Sequence, residues 1–381
     1  MFIKTRYDDK GNPFYTMETL EPGQDIRPNL SQQMVVAMIE RLYGFKNVGI
    51  VELNGYDDRN FHVEIEEYDE DSDVWPHGYV LKVINSLDSQ NTSYVDAQTE
   101  MALYLGARGV TCPQPVKNLS GNYYSLEEGL KGNKHIVRLL TYQPGQIMNQ
   151  VPCTEQMFYN IGKFVGLVDE ELKGFFHPAY DSNKSVWSLE SLPLLRRFTF
   201  AVKDSERSSL VNSVIDAFET EVVEIIDTLE KGLIHGDMNE QNVVVSSNPD
   251  DGIWDVVALL DFGDTQRSCY VFELAINICY MMLLAADDNP IDAGGHVIAG
   301  YNTVRSVPDE EFQILKTCVC GRLCQSLVMG AYSYMQDPGN EYILSSSHKG
   351  WKVLEQLWNT PQNIVIDRWK RIITSYKLYE S

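Results

Sequence analysis

The chain has 381 residues, room for one large domain or two lobes, and 44% hydrophobic with 22% charged residues is the composition of a globular protein rather than a disordered one. Its 54 acidic and 31 basic side chains give a formal net charge of -23, which argues against a nucleic-acid partner, because affinity for a phosphate backbone comes from basic patches. The longest apolar runs, such as FELAINICYMMLLAA, are broken by Glu273 and Asn277 and are too polar to cross a bilayer. No secretory leader or peroxisomal address is legible, and 7 cysteines are an odd count for a disulfide framework. These features predict reduced thiols, no membrane partner and the cytoplasm.

Residues 1–27 are polar, turn-rich and without period, and read as an N-terminal extension. SQQMVVAMIERLYGF then shows helical spacing between a serine N-cap and Gly44. Further on, Phe61, Val63 and Ile65 alternate with His62, Glu64 and Glu66, the period of a strand with one buried face. Two strands, the acidic loop YDEDSD and a third strand lead to Lys82 and Val83; a helix follows over SYVDAQTEMALYLGARGV, and NYYSL and HIVRLLTYQPG supply two more strands. The pattern predicts a five-stranded antiparallel sheet with one main internal helix over residues 28–142. TYQPGQ, with Pro144 and Gly145, reads as a hinge. Beyond it, segments such as QMFYNIGKFVGLVDEEL and ILKTCVCGRLCQSLVMGAYSYM have helical period, so residues 143–381 predict a mainly helical lobe. The expected fold class is α+β in two lobes.

Phosphoryl transfer relies on positioning and charge neutralisation, so its signature is scattered acids, a lysine and a backbone cradle. In HGDMNEQN four residues separate Asp237 from Asn242, the gap between the base and the metal-binding asparagine of a kinase catalytic loop. After the apolar strand VVALL comes DFGD, with Asp261 at the strand end where a magnesium ligand is required. The loop motif alone already favours function over a cap or turn, whereas an isolated DFG is a common turn; together and in this order they point to a kinase. Lys82 shares a strand face with Val80 and Ile84 and needs an anionic partner there: nucleotide phosphates in the kinase reading, or solvent at a sheet edge in the plainer one. Asp96 and Glu100, four apart on the following helix, are alternative carboxylates for Lys82. The turn LNGYDDRNF, with Gly55 and Asn60, is expected to contact the nucleotide through its backbone amides. His235 reads as a structural residue of the loop. Cys318, Cys320 and Cys324 diverge around a helix with no histidine nearby, and so read as buried thiols rather than metal ligands.

After DFGD the chain enters a helix at once, with no A-P-E segment, and Gly236 stands where protein kinases carry arginine. The acceptor is therefore a small molecule. An acidic chain suits a cationic one, with Asp264, Glu273 and Asp287 as candidate contacts.

HGDMNEQN followed by LLDFGD resembles the aminoglycoside phosphotransferase superfamily, whose two-lobed fold is similar to that of protein kinases. Within it, GYDDRNFHV, YVLKV, VRLLTYQPG, YVFELAI, GGHVIAGY and CQSLVMGAYS resemble the hydroxylysine kinase family, from about Pro28 to about Tyr376. That resemblance implies a nucleotide-binding lobe over 28–142 and a catalytic lobe with the acceptor pocket over 143–381. It also implies magnesium, GTP as donor, 5-hydroxy-L-lysine as acceptor and a place in amino-acid catabolism. Asp237 would be the catalytic base, Asn242 and Asp261 metal ligands and Lys82 a phosphate contact. ATP as donor, another amino alcohol or aminoglycoside as acceptor, and a nucleotide-binding pseudokinase are the alternatives.

Overall fold

The computed structural model describes residues 2–7, 13–17, 26–55, 57–66, 74–181, 184–248, 252–285, 289–336 and 347–379. Asp287 and the acidic loop YDEDSD lie outside them. The chain divides into two compact units, one of Gln24–Gly145 with Ala258–Leu260, the other of Met1–Gly23, Gln146–Val257 and Asp261–Ser381.

Within the segment expected to be an unpatterned extension lie two strands, β1 (Phe2–Tyr7) and β2 (Pro13–Met17), antiparallel from Ile3 opposite Met17 to Tyr7 opposite Pro13. Strands this short are specified by the segments they pair with, which local periodicity does not reveal.

In the N-terminal unit, α1 (Gln32–Tyr43) starts where Ser31 accepts the Met34 N–H and ends at Gly44 with φ 79°. Val35, Ile39 and Leu42 face inward at helical spacing. Then come β3 (Val48–Leu53), β4 (Arg59–Ile65), β5 (Tyr79–Val83), α2 (Thr92–Ala107), β6 (Pro115–Val116), β7 (Ser125–Glu128) and β8 (Lys134–Thr141). The sheet order is β3-β4-β5-β8-β6 with β7 also on β8, and every pairing is antiparallel. The five expected strands are all present. The addition is β6, two residues at an edge that begins with proline, a residue unable to complete a ladder. Phe61, Val63, Leu81, Val83, Val137 and Leu139 pack with the apolar face of α1, each buried side chain contributing about 1.5–3 kcal/mol.

The second unit runs β9 (Gln146–Ile147), α3 (Glu155–Leu172), β10 (Lys184–Ser185), a 3-10 segment over Leu189–Ala201, α4 (Ser205–Glu221), β11 (Lys231–Ile234), β12 (Val243–Ser247), β13 (Trp254–Leu259) and β14 (Gln266–Cys269). It closes with α5 (Tyr270–Leu284), α6 (Pro290–Tyr301), α7 (Asp309–Gln336), α8 (Ser347–Asn359) and α9 (Gln362–Tyr379). β10 receives β1, β11 pairs with β14, and β13, β12 and β9 form a small sheet. α3 and α6 meet through glycine: a Cβ on Gly162 would fall 1.9 Å from the Val297 carbonyl oxygen, and one on Gly300 the same distance from that of Tyr159. Among the described residues no helix is long and apolar enough to cross a membrane.

Candidate active site

β11 and β14 are antiparallel partners with Ile234 opposite Gln266, so the loop after β11 and the loop before β14 leave the pair at one end. The first is HGDMNEQN and the second DFGD. Their closeness requires glycine at position 236, where φ is 81° and a Cβ would come 2.3 Å from the Asp264 carbonyl oxygen. The Gly236 N–H donates to Glu273 Oε2 on α5 at 2.8 Å. Glu273 is fully buried, and burial pushes its carboxyl up to about 7, opposed by hydrogen bonds from the Gly236, His235 and Met238 backbone. Glu273 thus anchors the loop, and its expected part in acceptor binding is corrected: its carboxylate is enclosed, with Oε2 engaged by the loop and Oε1 without a hydrogen-bond partner among the described residues. One turn later Asn277 donates to the Met238 carbonyl at 2.9 Å. His235 is buried and its Nδ1 accepts the Asp237 N–H at 3.3 Å.

Asp237 keeps 21% of its side chain exposed while both oxygens are held. Oδ1 accepts from Arg322 Nη2 at 2.7 Å; Oδ2 accepts from Asn239 Nδ2 at 2.9 Å and Asn242 Nδ2 at 3.0 Å. Burial pushes the carboxyl up to about 6, with the Arg322 charge and the Asn239 hydrogen bond pulling the other way. Asn242 Nδ2 also donates to the Asp237 carbonyl at 2.9 Å, while among the described residues its Oδ1 accepts no hydrogen bond. Asp261 is exposed and stands in the left-handed region with φ 53°, steadied by the Gly263 N–H donating to its Oδ1 at 3.0 Å. Asp264 is partly buried, and burial followed by the Asp237 charge pushes it up to about 7.

The Asn242 Oδ1 and Asp261 carboxylate are suitable oxygen donors for a hard divalent cation. Among the described residues no group of three or more His, Cys, Asp and Glu is arranged around a metal position. A sparse set of this kind suits magnesium, which takes few protein ligands and completes its shell with phosphate and water. Cys318, Cys320 and Cys324 are free and buried, and burial raises all three thiols.

In the N-terminal unit, Lys82 is 8% exposed and its Nζ lies 3.3 Å from Asp58 Oδ2, in the turn between β3 and β4. Asp58 Oδ1 accepts from the Asn85 N–H at 2.9 Å and from Asn85 Nδ2 at 3.0 Å. The carboxylates expected beside Lys82 are exposed instead: the inward face of α2 carries Tyr94, Val95, Ala97, Gln98 and Met101, which turns Asp96 and Glu100 outward. Asp96 bonds Tyr124, and Gln98 Oε1 accepts from Arg138 Nη2 at 2.7 Å. Gly55 belongs to the same turn as Asp58, and a Cβ there would come 2.6 Å from the Asp58 carbonyl oxygen. Asn60 Nδ2 closes the turn by donating to the Asn54 carbonyl at 3.3 Å.

Arg322 and Asp58 are the site residues that sequence reasoning missed. Arg322 had a signal, a lone cation inside the apolar stretch CVCGRLCQSL, because a buried guanidinium requires an anion.

Comparison with known proteins gives the family of the chain. The chain belongs to the phosphotransferase enzyme family (APH), whose sequence profile matches residues 50–310, and it is a kinase with an alcohol acceptor. It is 36% identical to the hydroxylysine kinase of Xenopus laevis over 365 residues, 92% of this chain and 96% of that protein. With the hydroxylysine kinase of Bos taurus the identity is 34% over 361 residues, 92% and 95% of the two chains. In three dimensions it is similar to an amicoumacin kinase solved with AMP-PNP, Ca2+ and Ami, at TM-score 0.65 and 17% identity, covering 87% of this chain and 95% of that one. A microcompartment-associated aminopropanol kinase matches at TM-score 0.65 and 18% identity, covering 86% and 95%. These two structures share the protein-kinase-like α+β fold expected from the sequence.

Proposed function

We propose that the chain transfers the γ-phosphoryl group of a nucleoside triphosphate to the side-chain hydroxyl of 5-hydroxy-L-lysine. The acceptor assignment is supported by the extent of the likeness to hydroxylysine kinases, about 92% of the chain at 34–36% identity. The observation that carries the chemistry is Asp237, a partly exposed carboxylate held by three side-chain donors.

Asp237 accepts the hydroxyl proton as the hydroxyl oxygen forms its bond to the γ-phosphorus, and the bond from that phosphorus to the bridging oxygen breaks to release the nucleoside diphosphate. Lys82 contacts the phosphates, and the turn containing Gly55 and Asn60 offers backbone amides to them. Asn242 Oδ1 and the Asp261 carboxylate would hold magnesium, which would supply charge neutralisation to the phosphate oxygens. Lys82 stands beside an anion of the chain itself, Asp58, and a phosphate takes over that electrostatic role. GTP is the donor implied by the family resemblance, with ATP the alternative, and a cytoplasmic step of amino-acid breakdown is the role this reading gives the chain.

The test is release of nucleoside diphosphate from magnesium with GTP or ATP in the presence of 5-hydroxylysine, homoserine, choline or kanamycin. Turnover confined to hydroxylysine is expected. Turnover with another alcohol overturns the acceptor, and none with any of them overturns hydroxylysine as substrate and favours the nucleotide-binding pseudokinase.

A further inference from the structure

Arg322 lies in the interior of α7 at 1% exposure, next to the fully buried Leu323 and close to Val319 and Cys324. Removing a guanidinium from water costs several kcal/mol unless its charge and its N–H groups are matched. Here both terminal nitrogens are matched, while Nε has no hydrogen-bond partner among the described residues. Nη2 donates to Asp237 Oδ1 at 2.7 Å, Nη1 donates to the Trp187 carbonyl at 3.0 Å, and the guanidinium lies 5.4 Å from the ring centres of Trp187 and of Tyr280.

Gln325, on the same face of α7 three residues later, donates to the Val186 carbonyl at 3.1 Å and the Ser188 carbonyl at 2.8 Å. Three successive carbonyls, from 186 to 188, are therefore fastened to α7 by two side chains. Arg322 is wedged between that segment and α5, and one fixed arm of it reaches the catalytic loop.

The two oxygens of Asp237 are held from different places. Asn239 and Asn242 hold Oδ2 from within the loop, whereas Arg322 holds Oδ1 from a helix 85 residues further along the chain. The terminal torsion of an aspartate is intrinsically broad, so a carboxylate held at one oxygen alone swings about its Cβ–Cγ bond. Fixing the second oxygen sets the plane of the carboxylate and the direction of its remaining lone pairs.

We propose that Arg322 is the positioning residue of the catalytic base, orienting the Asp237 carboxylate toward the acceptor hydroxyl without touching either substrate. The proposal rests on the reading of Asp237 as the base. A misplacement of about 1 Å costs about 100-fold in rate, so the loss should fall on kcat rather than on substrate binding.

The experiment compares Arg322→Met, Arg322→Lys, Asp237→Asn and the double variant Asp237→Asn/Arg322→Met in the full chain, measuring kcat, both KM values and thermal unfolding. Arg322→Met is expected to lower kcat about 100-fold while both KM values stay within about 3-fold, a difference of under 1 kcal/mol. Arg322→Lys should recover part of the loss, because it keeps the charge without the planar fork. The double variant should be no slower than Asp237→Asn alone, as expected of groups that act as a unit. Arg322→Met leaves an unpaired charge and is the variant at risk of unfolding; if it unfolds, Arg322→Lys takes its place in the comparison. Folded Arg322 variants with kcat close to wild type, or losses that multiply in the double variant, overturn the proposal. An active Asp237→Asn overturns the base assignment itself, a result separate from either of these.

Discussion

Glu273 Oε2 accepts the Gly236 N–H at 2.8 Å, so the loop that carries Asp237 hangs from a carboxylate on α5 that is itself sealed from solvent. Burial raises this carboxyl from 4.5 to about 7. Between those two values the folded chain binds more protons than the unfolded one, so the stability contribution is fully present below pH 4.5 and is lost as pH rises through about 7. The loss is on the order of 3 kcal/mol. Unfolding of wild type and Glu273→Gln by urea between pH 5 and 8 checks it: wild type should lose stability relative to the variant as pH rises. A gap that does not change with pH contradicts the assignment.

Gly236 stands in the first loop where it meets the second, with φ 81° and no room for a methyl group beside the Asp264 carbonyl. Gly236→Ala should destabilise the protein by about 1–3 kcal/mol through backbone strain and lower kcat by about 100-fold through displacement of Asp237. Thermal melts and steady-state kinetics read the two effects separately. Full activity in the alanine variant contradicts the close fit of the loops.

The Asp58 carboxylate stands 3.3 Å from the ammonium that is proposed to meet phosphate. It therefore competes with the nucleotide, and Asp58→Asn should lower the nucleotide KM by about 2–5-fold, the equivalent of up to about 1 kcal/mol for a partly exposed pair. The acceptor KM should not move. An increase in nucleotide KM would mean that Asp58 aligns Lys82 for phosphate instead of competing with it.

The helix pair α3 and α6 depends on Gly162 and Gly300, each facing a carbonyl oxygen of the other helix that would lie 1.9 Å from any Cβ added there. Gly162→Ala forces the helices apart and should cost about 1–3 kcal/mol of stability, seen as a lowered melting temperature, with kcat of the folded fraction unchanged. A variant as stable as wild type contradicts the contact.

The residues of the two loops proposed to be catalytic could be singled out in the sequence because their constraints are local. Asp237 and Asn242 share one loop and Asp261 ends the next strand but one, so spacing and strand texture suffice to pick them out. The helix α1 was equally plain, with Ser31 and Gly44 marking its ends. What escaped depends on tertiary placement. Arg322 is 85 residues from the carboxylate it holds, and Asp58 reaches Lys82 only because β4 and β5 are neighbours in the sheet. Asp96 and Glu100 share a face by their spacing, but which face turns inward is decided by the apolar residues around them. The strands β1 and β2 are defined by each other and by β10, a relationship invisible to a window read along the chain.

The central claim is that Asp237 takes the proton of an alcohol as phosphate is transferred to it. Its most direct test is a single-turnover measurement of phosphohydroxylysine formation by wild type and Asp237→Asn, each saturated with nucleotide and magnesium, with nucleotide affinity measured alongside. The account predicts a rate about 100- to 10,000-fold lower in the variant, the usual contribution of a general base, at nucleotide affinity close to wild type. Equal rates in the two proteins would contradict it.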